Sequence, residues 1–570
     1  MRDGFREFRR AVTMKMSVPA KILGLPFVLL LLNGLLLAPQ WLLTGSLGPG
    51  WIAIESLLVV GVFLLLPRRR PRAALAAGTA TFLVLLSVVA FADAVARQSL
   101  GRGLNLYLDV HLVSAVYKLL NGALGPAVAV LLMVGLALGA AISVLILAYL
   151  LQSVEIHSSK SGTRIAGVAL IALFGIGLAG EQMPVLSERI TLPAVGIATD
   201  QTRGFFRMLE EAERFTAELA VVPDGYAGVG GFLGKLVDHD VVLAFIESYG
   251  VSALYDPRFS PVILPRLNVL DTRMADAGLH LATGTLVAPT RGGESWLSHG
   301  SLFSGLWLDN QLRYDLMLAS GRGTLIDDFR RAGHRTVALM PAITLAWPEG
   351  ERLGYDQIFA FRNIDYAGPA LNWVTMPDQY TWSFLERAIR TTDDADTRPV
   401  FAELGLISSH APWTPILPVL DDWDSIGDGS VFAPWENAGE HPDELWRDMD
   451  RVRDHYALSV DYAIHTMASY AERYVDEGTL LIVLGDHQAA PLIIGDDASS
   501  AVPVHVISRD PGLVQPFLDW GFQSGALPDP DRPGPGMDAF RDWFVRAFSK
   551  SAAGGETLTA PVPEEAADTG

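Results

Sequence analysis

The sequence predicts five membrane-spanning helices in its first 181 residues, followed by an α/β domain with a mostly parallel central sheet sandwiched by helices. Half of the 570 residues are hydrophobic, and the long apolar stretches lie in the first third of the chain. From 237 to about 549, short apolar runs alternate with segments of helical periodicity. That alternation is typical of a parallel sheet with helices on both faces.

The membrane domain is predicted from apolar stretches that approach the length a bilayer core requires. Basic residues precede the first stretch, lie between the second and third, and lie again between the fourth and fifth. The positive-inside rule assigns these three segments to the cytoplasm, so everything after residue 181 lies outside it. The predicted helices are at about 22–44, 51–67, 73–95, 125–151 and 164–181.

The remaining chain divides into three parts by composition. A juxtamembrane helical linker is predicted at 182–236, where Phe205–Ala220 has helical periodicity and the end is rich in glycine. The α/β domain follows at 237–549, and a tail of Ala, Gly, Glu and Pro at 550–570 is predicted to be disordered. The candidate strands are Val241–Glu247, Thr336–Met340, Val400–Ile407, Leu480–Leu484 and Val502–Ile507.

Charge and cysteine content exclude several classes of function. Residues 1–181 carry a net charge of +8 and the rest of the chain −28, which argues against nucleic acid as a partner of the α/β domain. The chain has no cysteine, so a disulfide framework, a thiolate zinc site and a cysteine nucleophile are all excluded. The lack of cysteine also fits an exported domain.

Two apolar runs end in side chains that bind metals. Val241–Ile246 is followed by Glu247, and Leu480–Leu484 is followed by Gly485, Asp486 and His487. Parallel strands present ligands at their carboxyl ends, and carboxylate and imidazole groups suit a divalent metal. Taken alone, Glu247 has the alternative of a solvated glutamate, and the Asp486-His487 pair has that of a turn. The placement of both groups directly after apolar strands predicts one metal site.

A candidate nucleophile follows a glycine-rich turn at Gly292 and Gly293. Ser295 stands where a helix would begin, and there it is either an N-cap residue or a nucleophile. A helix N-terminus favours an anionic substrate and stabilises an alkoxide. Three other hydroxyls compete with it: Thr290, Ser298 and Ser301.

On these residues the chain resembles the membrane-anchored branch of the alkaline phosphatase/sulfatase superfamily, which includes lipoteichoic acid synthases and phosphoethanolamine transferases. Proteins of that branch have five N-terminal helices before an extracytoplasmic domain with a Glu after its first strand, a Thr or Ser nucleophile and a late Gly-Asp-His. The resemblance implies a sulfatase-like fold for 237–549. It also implies one divalent metal, Zn or Mn, held by Glu247, Ser295, Asp486 and His487.

Comparison with sulfatases favours Ser295 among the candidate hydroxyls. Their motif places a Thr-Gly pair so that the Gly is ten positions after the nucleophile, and Ser304-Gly305 stands at that distance from Ser295. The motif's Pro and Arg are missing, because Ser295 is followed by Trp-Leu-Ser-His. Ser248 stands where sulfatases usually have the second Asp of a pair. Both departures indicate an unmodified hydroxyl nucleophile and a single main metal.

Four further residues are candidates around the site. His410, just after the strand Val400–Leu406, resembles the substrate-side histidine of the family, a second catalytic residue that contacts phosphate or protonates a leaving oxygen; a turn histidine is the alternative. His505 is predicted to bind substrate, with a hydrogen-bonded core histidine as the alternative. Arg291 and His299 flank Ser295 and are predicted to bind phosphate.

The resemblance implies a transferase that moves phosphoethanolamine or phosphoglycerol from a membrane phospholipid to an envelope glycan or lipid acceptor through a phospho-Ser intermediate. It implies a location in the bacterial inner membrane with the α/β domain in the periplasm or outside the cell. Two alternatives stay open: a membrane-anchored sulfatase-like hydrolase or phosphodiesterase, and a non-catalytic structural or sensor relative. The complete ligand set at 247, 486 and 487 argues against the second.

Overall fold

The computed structural model describes residues 25–44, 50–67, 70–154, 160–180, 189–221, 231–391 and 396–549. The predicted disordered tail therefore lies outside the described residues, as does part of the predicted linker. The chain forms two compact units. Unit 1 contains residues up to 96, 103–107 and 112–207, and unit 2 contains 97–102, 108–111 and residues from 208 onward.

Unit 1 is built from helices and one short parallel strand pair. Its last helix, Pro193–Val221, covers the segment Phe205–Ala220 with helical periodicity and continues into residues of unit 2. The elements are α1 (Leu25–Thr44), β1 (Ile52–Ala53), α2 (Glu55–Leu65), α3 (Arg70–Leu100), α4 (Leu112–Leu124), α5 (Pro126–Ser153), α6 (Lys160–Gly180), β2 (Ile190–Thr191) and α7 (Pro193–Val221).

Four helices in the described part of the chain are long and apolar enough to cross a membrane, where the sequence predicted five. The exception is the predicted span at 51–67, because α2 has 11 residues and is about 16 Å long, against a hydrocarbon core of about 30 Å. The four candidates are Leu25–Leu42, Pro71–Leu100, Pro126–Ser153 and Ser161–Gly180.

Long-range pairing explains why α2 is short. Ile52 and Ala53 pair with Ile190 and Thr191 in a parallel ladder instead of starting a helix. The Glu55 carboxylate then accepts hydrogen bonds from the backbone N–H groups of Ala194 (3.0 Å) and Val195 (3.2 Å). These partners are far away in sequence, so a local hydropathy average does not detect them.

Helix α2 packs closely against α6 through glycine. A Cβ atom at Gly61 would lie 2.9 Å from Ile171 and 3.0 Å from the carbonyl oxygen of Gly167. Such contacts leave no room for a side chain, and small residues of this kind let membrane helices approach each other.

Unit 2 contains an eight-stranded sheet. The strands are β3 (Asp240–Ile246), β4 (His280–Val287), β5 (Arg335–Met340), β6 (Gln357–Ala360), β7 (Val400–Leu406), β8 (Thr479–Gly485), β9 (Ala501–Ser508) and β10 (Gln523–Ser524). Their order in the sheet is β10-β4-β9-β8-β3-β7-β5-β6. Pairing is parallel from β8 through β3, β7 and β5 to β6, and antiparallel at β8–β9, β9–β4 and β4–β10. This confirms the mostly parallel sheet.

All five predicted strands are present, and the three that were not predicted have weak sequence signals. Strand β4 is interrupted by glycine and threonine, β6 has four residues and β10 has two.

Helices cover both faces of the sheet, and each face has its own buried apolar cluster. The helices are α8 (Ser252–Tyr255), α9 (Ser260–Asp276), α10 (Ser295–Ser304), α11 (Gln311–Ser320), α12 (Leu325–Arg331), α13 (Pro348–Leu353), α14 (Asp378–Phe384), α15 (Pro442–Leu445), α16 (Met449–Tyr474), α17 (Pro491–Ile494), α18 (Pro511–Trp520) and α19 (Ala539–Phe548).

The register of the three central strands brings their carboxyl ends to one place. Ile246, at the end of β3, pairs with Leu406 at the end of β7 and with Gly485 at the end of β8. The residues that follow these three strands therefore meet at one edge of the sheet.

Candidate active site and metal centre

Three of the four predicted metal ligands meet at this edge. Glu247, Asp486 and His487 each offer one ligand atom, and these atoms lie within 4.8 Å of one another. The backbone ladder continues into the turns, because the Glu247 N–H donates to Leu406 (3.1 Å) and the Asp486 N–H donates to Ile246 (3.2 Å). The turns are thus fixed by the strands that precede them.

The hydrogen bonds of His487 show that these residues fit a cation. Its Nδ1 lies 2.8 Å from the carbonyl oxygen of Gln488 and must donate there, so in the neutral form of the ring Nε2 carries the lone pair. Nε2 is buried, has no hydrogen-bond partner among the described residues, and lies 3.6 Å from carboxylate oxygens of both Glu247 and Asp486. A lone pair facing two carboxylates is stabilised by a cation between them.

The pKa values of the two acids are shifted in opposite directions by burial and by neighbouring charges. Burial, and then the charge of Glu247, raise the pKa of Asp486 well above its ordinary value. Burial opposes ionisation of Glu247 as well, but the imidazoles of His487 and His410 lower its pKa. One buried and one partly buried acid facing one imidazole are the donor set that a divalent cation neutralises.

Ser248 holds both carboxylates in place. Its N–H donates to Asp486 Oδ1 (2.8 Å), and its hydroxyl donates to Glu247 Oε1 (2.8 Å). It has a positive φ of 57°, and the Tyr456 hydroxyl donates to its carbonyl oxygen (2.9 Å). Sequence comparison noted Ser248 only as the replacement of a second acid.

Ser295 is the first residue of α10, as the glycine-rich turn predicted. The N–H of Gly292 donates to the carbonyl oxygen of Gln488 (2.8 Å), and Arg291 forms a β-bridge with the same residue. The loop before Ser295 is therefore bonded to the residue that follows His487.

Among the four candidate hydroxyl residues, Ser295 is partly exposed and the other three are buried. Thr290 Oγ1 lies 3.4 Å from Ser298 Oγ, and Ser301 Oγ accepts the Leu308 N–H (2.9 Å). This supports Ser295 as the nucleophile, which remains a prediction.

His410 lies beside Glu247, whose pKa it lowers. Its Nδ1 donates to the carbonyl oxygen of Ala411 (2.6 Å), so Nε2 is the ring nitrogen outside this bond. The preceding Ser409 hydroxyl donates to the carbonyl oxygen of Glu247 (2.6 Å), so the predicted histidine loop joins the metal corner.

His299 is held by residues that sequence reasoning missed. Its Nδ1 lies 2.6 Å from Glu403 Oε1, and its ring stacks on Phe245 at 3.7 Å. The Tyr355 hydroxyl donates to the other Glu403 oxygen. Burial, and then Glu403, raise the pKa of Tyr355 well above its ordinary value, so Tyr355 keeps its proton. The available sequence signal was a lone acid inside the apolar strand Val400–Leu406.

The two remaining predicted substrate contacts, Arg291 and His505, both make hydrogen bonds within the protein. Arg291 Nη1 donates to the carbonyl oxygens of Asp496 (3.1 Å) and Ala498 (2.8 Å). His505 is fully buried, and its two nitrogens lie 3.0 Å from the hydroxyls of Tyr249 and Thr283. Burial lowers the pKa of His505 to about 4. These bonds match the alternative of a core histidine for His505.

Asp378, also missed, holds the loop that carries His410. Its Oδ1 accepts the N–H groups of Ile407 and Ser408, both at 2.8 Å. Its Oδ2 is buried without a hydrogen-bond partner in the described part of the chain. Burial raises the pKa of Asp378 to about 6.

Asp378 predicts a pH dependence of stability. Because its folded-state pKa is raised, its stabilising contribution is complete below the ordinary pKa near 3.8 and is lost as pH rises through about 6. The loss is about 3 kcal/mol. Relative to Asp378→Asn, which does not titrate, the wild-type chain should lose this stability between pH 4 and pH 7.5. Thermal unfolding of both chains across this range measures the difference.

The matched control is Asp497→Asn, because Asp497 is exposed. Its difference from the wild-type chain should stay nearly constant over the same pH range. A wild-type advantage over Asp378→Asn that grows with pH would contradict the assignment.

Comparisons with known proteins give matches only among solved structures. No protein-family model matches the chain, and neither does any curated protein. The lipoteichoic acid synthase LtaP from Listeria monocytogenes is 12% identical with a TM-score of 0.36, over 62% of this chain and 81% of that one. A protein in the alkaline phosphatase superfamily from Vibrio parahaemolyticus is 14% identical with a TM-score of 0.36, over 62% and 79%.

A third similar structure is the C-terminal periplasmic domain of EcEptC from Escherichia coli. It is 14% identical with a TM-score of 0.34, over 58% of this chain and 88% of that one. All three similarities are of low sequence identity and low TM-score.

Proposed function

We propose that this chain is a metal-dependent transferase that moves a phosphoethanolamine or phosphoglycerol group from a membrane phospholipid to a hydroxyl of an envelope glycan or lipid. The observation that carries the proposal is the buried corner of Glu247, Asp486 and His487, where His487 Nε2 faces two carboxylates. A partly exposed serine begins a helix on the loop bonded to this corner. The combination supports attack by serine on an anionic ester.

Glu247, Asp486 and His487 would hold one divalent ion, with Ser295 as a fourth ligand. Two carboxylates and an imidazole suit Zn²⁺ and Mn²⁺. When bound, such an ion supplies positive charge that polarises a phosphoryl oxygen and lowers the pKa of a serine hydroxyl.

Ser295 would act as the nucleophile of a double displacement. After its hydroxyl proton is lost to solvent, a bond forms from its Oγ to phosphorus as the bond from phosphorus to the diacylglycerol oxygen breaks, which leaves a phospho-Ser. The acceptor hydroxyl, as it gives up its proton, then forms a bond to phosphorus, and Ser295 leaves as the alkoxide. The N-terminus of α10 stabilises the anionic group throughout.

His410 would transfer protons to the leaving oxygen and from the acceptor hydroxyl. Its Nδ1 is bonded to Ala411, so Nε2 is the nitrogen that gives a proton to the departing diacylglycerol oxygen and takes one from the acceptor hydroxyl. His299 would bind a phosphoryl oxygen through Nε2, because its Nδ1 is committed to Glu403.

The role of His299 predicts an effect of Glu403→Gln. This change removes the charge that holds the imidazole, and kcat should fall about 10- to 100-fold, as for loss of a charge-assisted hydrogen bond. Tyr355→Phe keeps the carboxylate and should cost less. If kcat were unchanged in Glu403→Gln, with metal content and unfolding temperature preserved, the proposed role of His299 in the site would be contradicted.

The catalytic unit is proposed to lie outside the cytoplasm of a bacterial inner-membrane protein. Helix α2 is too short to span a membrane, but its contacts support the prediction that the basic segment after it lies on the cytoplasmic side. Ile54 packs near Gly177 and Leu65 near Gly167, so α2 and α6 run in opposite directions. Arg72, in the basic segment after α2, donates to the carbonyl oxygens of Leu66, Leu151 and Val154.

The native chain lacks cysteine, which allows a direct test of location. A cysteine placed at the exposed Asp309 should react with a membrane-impermeant maleimide in intact cells whose outer layers are permeabilised. Reaction only after lysis would contradict the location.

The reaction itself is tested with the full chain in vesicles of phosphatidylethanolamine or phosphatidylglycerol, with Zn²⁺ or Mn²⁺. Diacylglycerol should form from one of the two lipids, and an added glycan hydroxyl should receive its phosphorylated head group. Release of the free head group at the same rate without an acceptor would indicate a hydrolase. No diacylglycerol from either lipid would overturn the proposal.

A further inference from the structure

Two short segments far from Ser295 in sequence belong to the compact unit that holds the site. They are residues 97–102, which include the end of α3, and residues 108–111. The first segment contacts the loop 291–294, which ends directly before Ser295, and the second is joined to the first by the pair of Asp109 with Arg102. The candidate active site therefore includes chain from between two predicted membrane helices.

The backbones of the loop and of the end of α3 are in close contact. Gly292 has a φ of 73°, and a Cβ atom on it would lie 1.9 Å from the carbonyl oxygen of Ser99. A Cβ atom on Gly293 would lie 3.2 Å from Leu100. The glycine-rich turn read from the sequence is thus explained by close approach as well as by backbone conformation.

An ion cluster fixes the same loop. Arg102 donates to both oxygens of Glu294, at 2.7 and 3.1 Å, and to both oxygens of Asp109, at 2.8 and 3.0 Å. The side chains of Glu294 and Asp109 are 3% and 1% exposed. One guanidinium thus pairs with two buried carboxylates, and planar bidentate pairing of this kind sets orientation as well as energy.

Glu294 needs such a restraint because of its backbone. Its φ of 60° is in the left-handed region, which costs a residue with a side chain about 1–2 kcal/mol. Glu294 is also the residue from which α10 starts, so its conformation sets the direction of the first turn, where Ser295 lies. The other side of the loop is tied to Gln488 through the Gly292 N–H.

We propose that Arg102 is a positioning residue that holds Glu294, and through it Ser295, against the metal corner. This inference rests on the proposed function for its catalytic consequence. Its structural consequence, an ordered loop 291–294, is independent of the reaction and is tested separately.

The experiment compares Arg102→Ala and Arg102→Lys with Arg266→Ala in the full chain. Arg266 is a matched control, because it makes a two-bond pair with Asp461 (2.8 and 2.9 Å) in the same unit and its side chain is 22% exposed against 26% for Arg102. The double variant Arg102→Gln with Glu294→Gln removes the charges of these two residues and keeps that of Asp109, so that no carboxylate of Glu294 is left unpaired.

Two measurements separate positioning from simple stability. Hydrogen exchange of the peptide 288–300 should be at least about 10-fold faster in Arg102→Ala and in the double variant, and unchanged in Arg266→Ala. The kcat for diacylglycerol release should fall about 10- to 100-fold well below the unfolding temperature, with KM and metal content nearly unchanged. Arg102→Lys should lie between, since lysine cannot pair in a planar bidentate manner.

Unchanged exchange of 288–300 in Arg102→Ala and in the double variant would overturn the inference, whether or not the wild-type chain releases diacylglycerol. Full kcat in the same variants beside an active wild-type chain would also overturn it. An inactive wild-type chain whose exchange responds as expected would instead count against the proposed function alone.

Discussion

Asp486→Asn should abolish both metal binding and turnover. Asp486 supplies one of the two carboxylates that face His487 Nε2, and a neutral amide in its place leaves one negative charge for the cation. Loss of the ion removes several kcal/mol of transition-state stabilisation, so turnover should fall roughly 10³-fold. Metal analysis of the purified chain and diacylglycerol release from vesicles check the two effects.

Asp497→Asn is the control for this change, since it removes an exposed carboxylate beyond the same strand. Its metal content and turnover should equal those of the wild-type chain. If Asp486→Asn retained stoichiometric metal and full turnover, the corner would not be the metal centre.

Ser295→Ala should stop turnover while the metal stays bound. Removal of a nucleophilic hydroxyl leaves only binding and electrostatic effects, so diacylglycerol release should fall at least about 10³-fold. Metal content should stay near that of the wild-type chain, because Glu247, Asp486 and His487 remain. Release assays and metal analysis on the same preparation separate this outcome from that of Asp486→Asn.

The competing hydroxyls provide the comparison for Ser295. Thr290→Val and Ser298→Ala alter buried groups that lie 3.4 Å apart, and both variants should keep turnover within about 10-fold of the wild-type chain. Turnover that survives in Ser295→Ala but is lost in Thr290→Val would move the nucleophile to Thr290.

The α/β domain could be predicted because its signals are local. Strands β3, β7 and β8 are continuous apolar runs, and parallel pairing brings their carboxyl ends together. Glu247, Asp486 and His487 follow two of these strands directly, so their proximity was a consequence of fold class alone. The start of α10 at Ser295 followed from two glycines.

Other features depend on partners that are far apart in sequence. The shortness of α2 comes from strand pairing between Ile52 and Ile190. The bond between His299 and Glu403 joins residues 104 positions apart, and the pair of Arg102 with Glu294 spans 192. Periodicity and composition carry no information on such contacts.

Mass spectrometry of the full chain after incubation with phosphatidylethanolamine or phosphatidylglycerol vesicles tests the central claim most directly. We expect a peptide carrying Ser295 to gain the mass of phosphoethanolamine or phosphoglycerol in the presence of Zn²⁺ or Mn²⁺. The modification should be absent from Asp486→Asn and from chelator-treated chain. A lipid-derived phosphoryl group on Thr290 or Ser298, or one on Ser295 that forms equally without metal, would contradict the account.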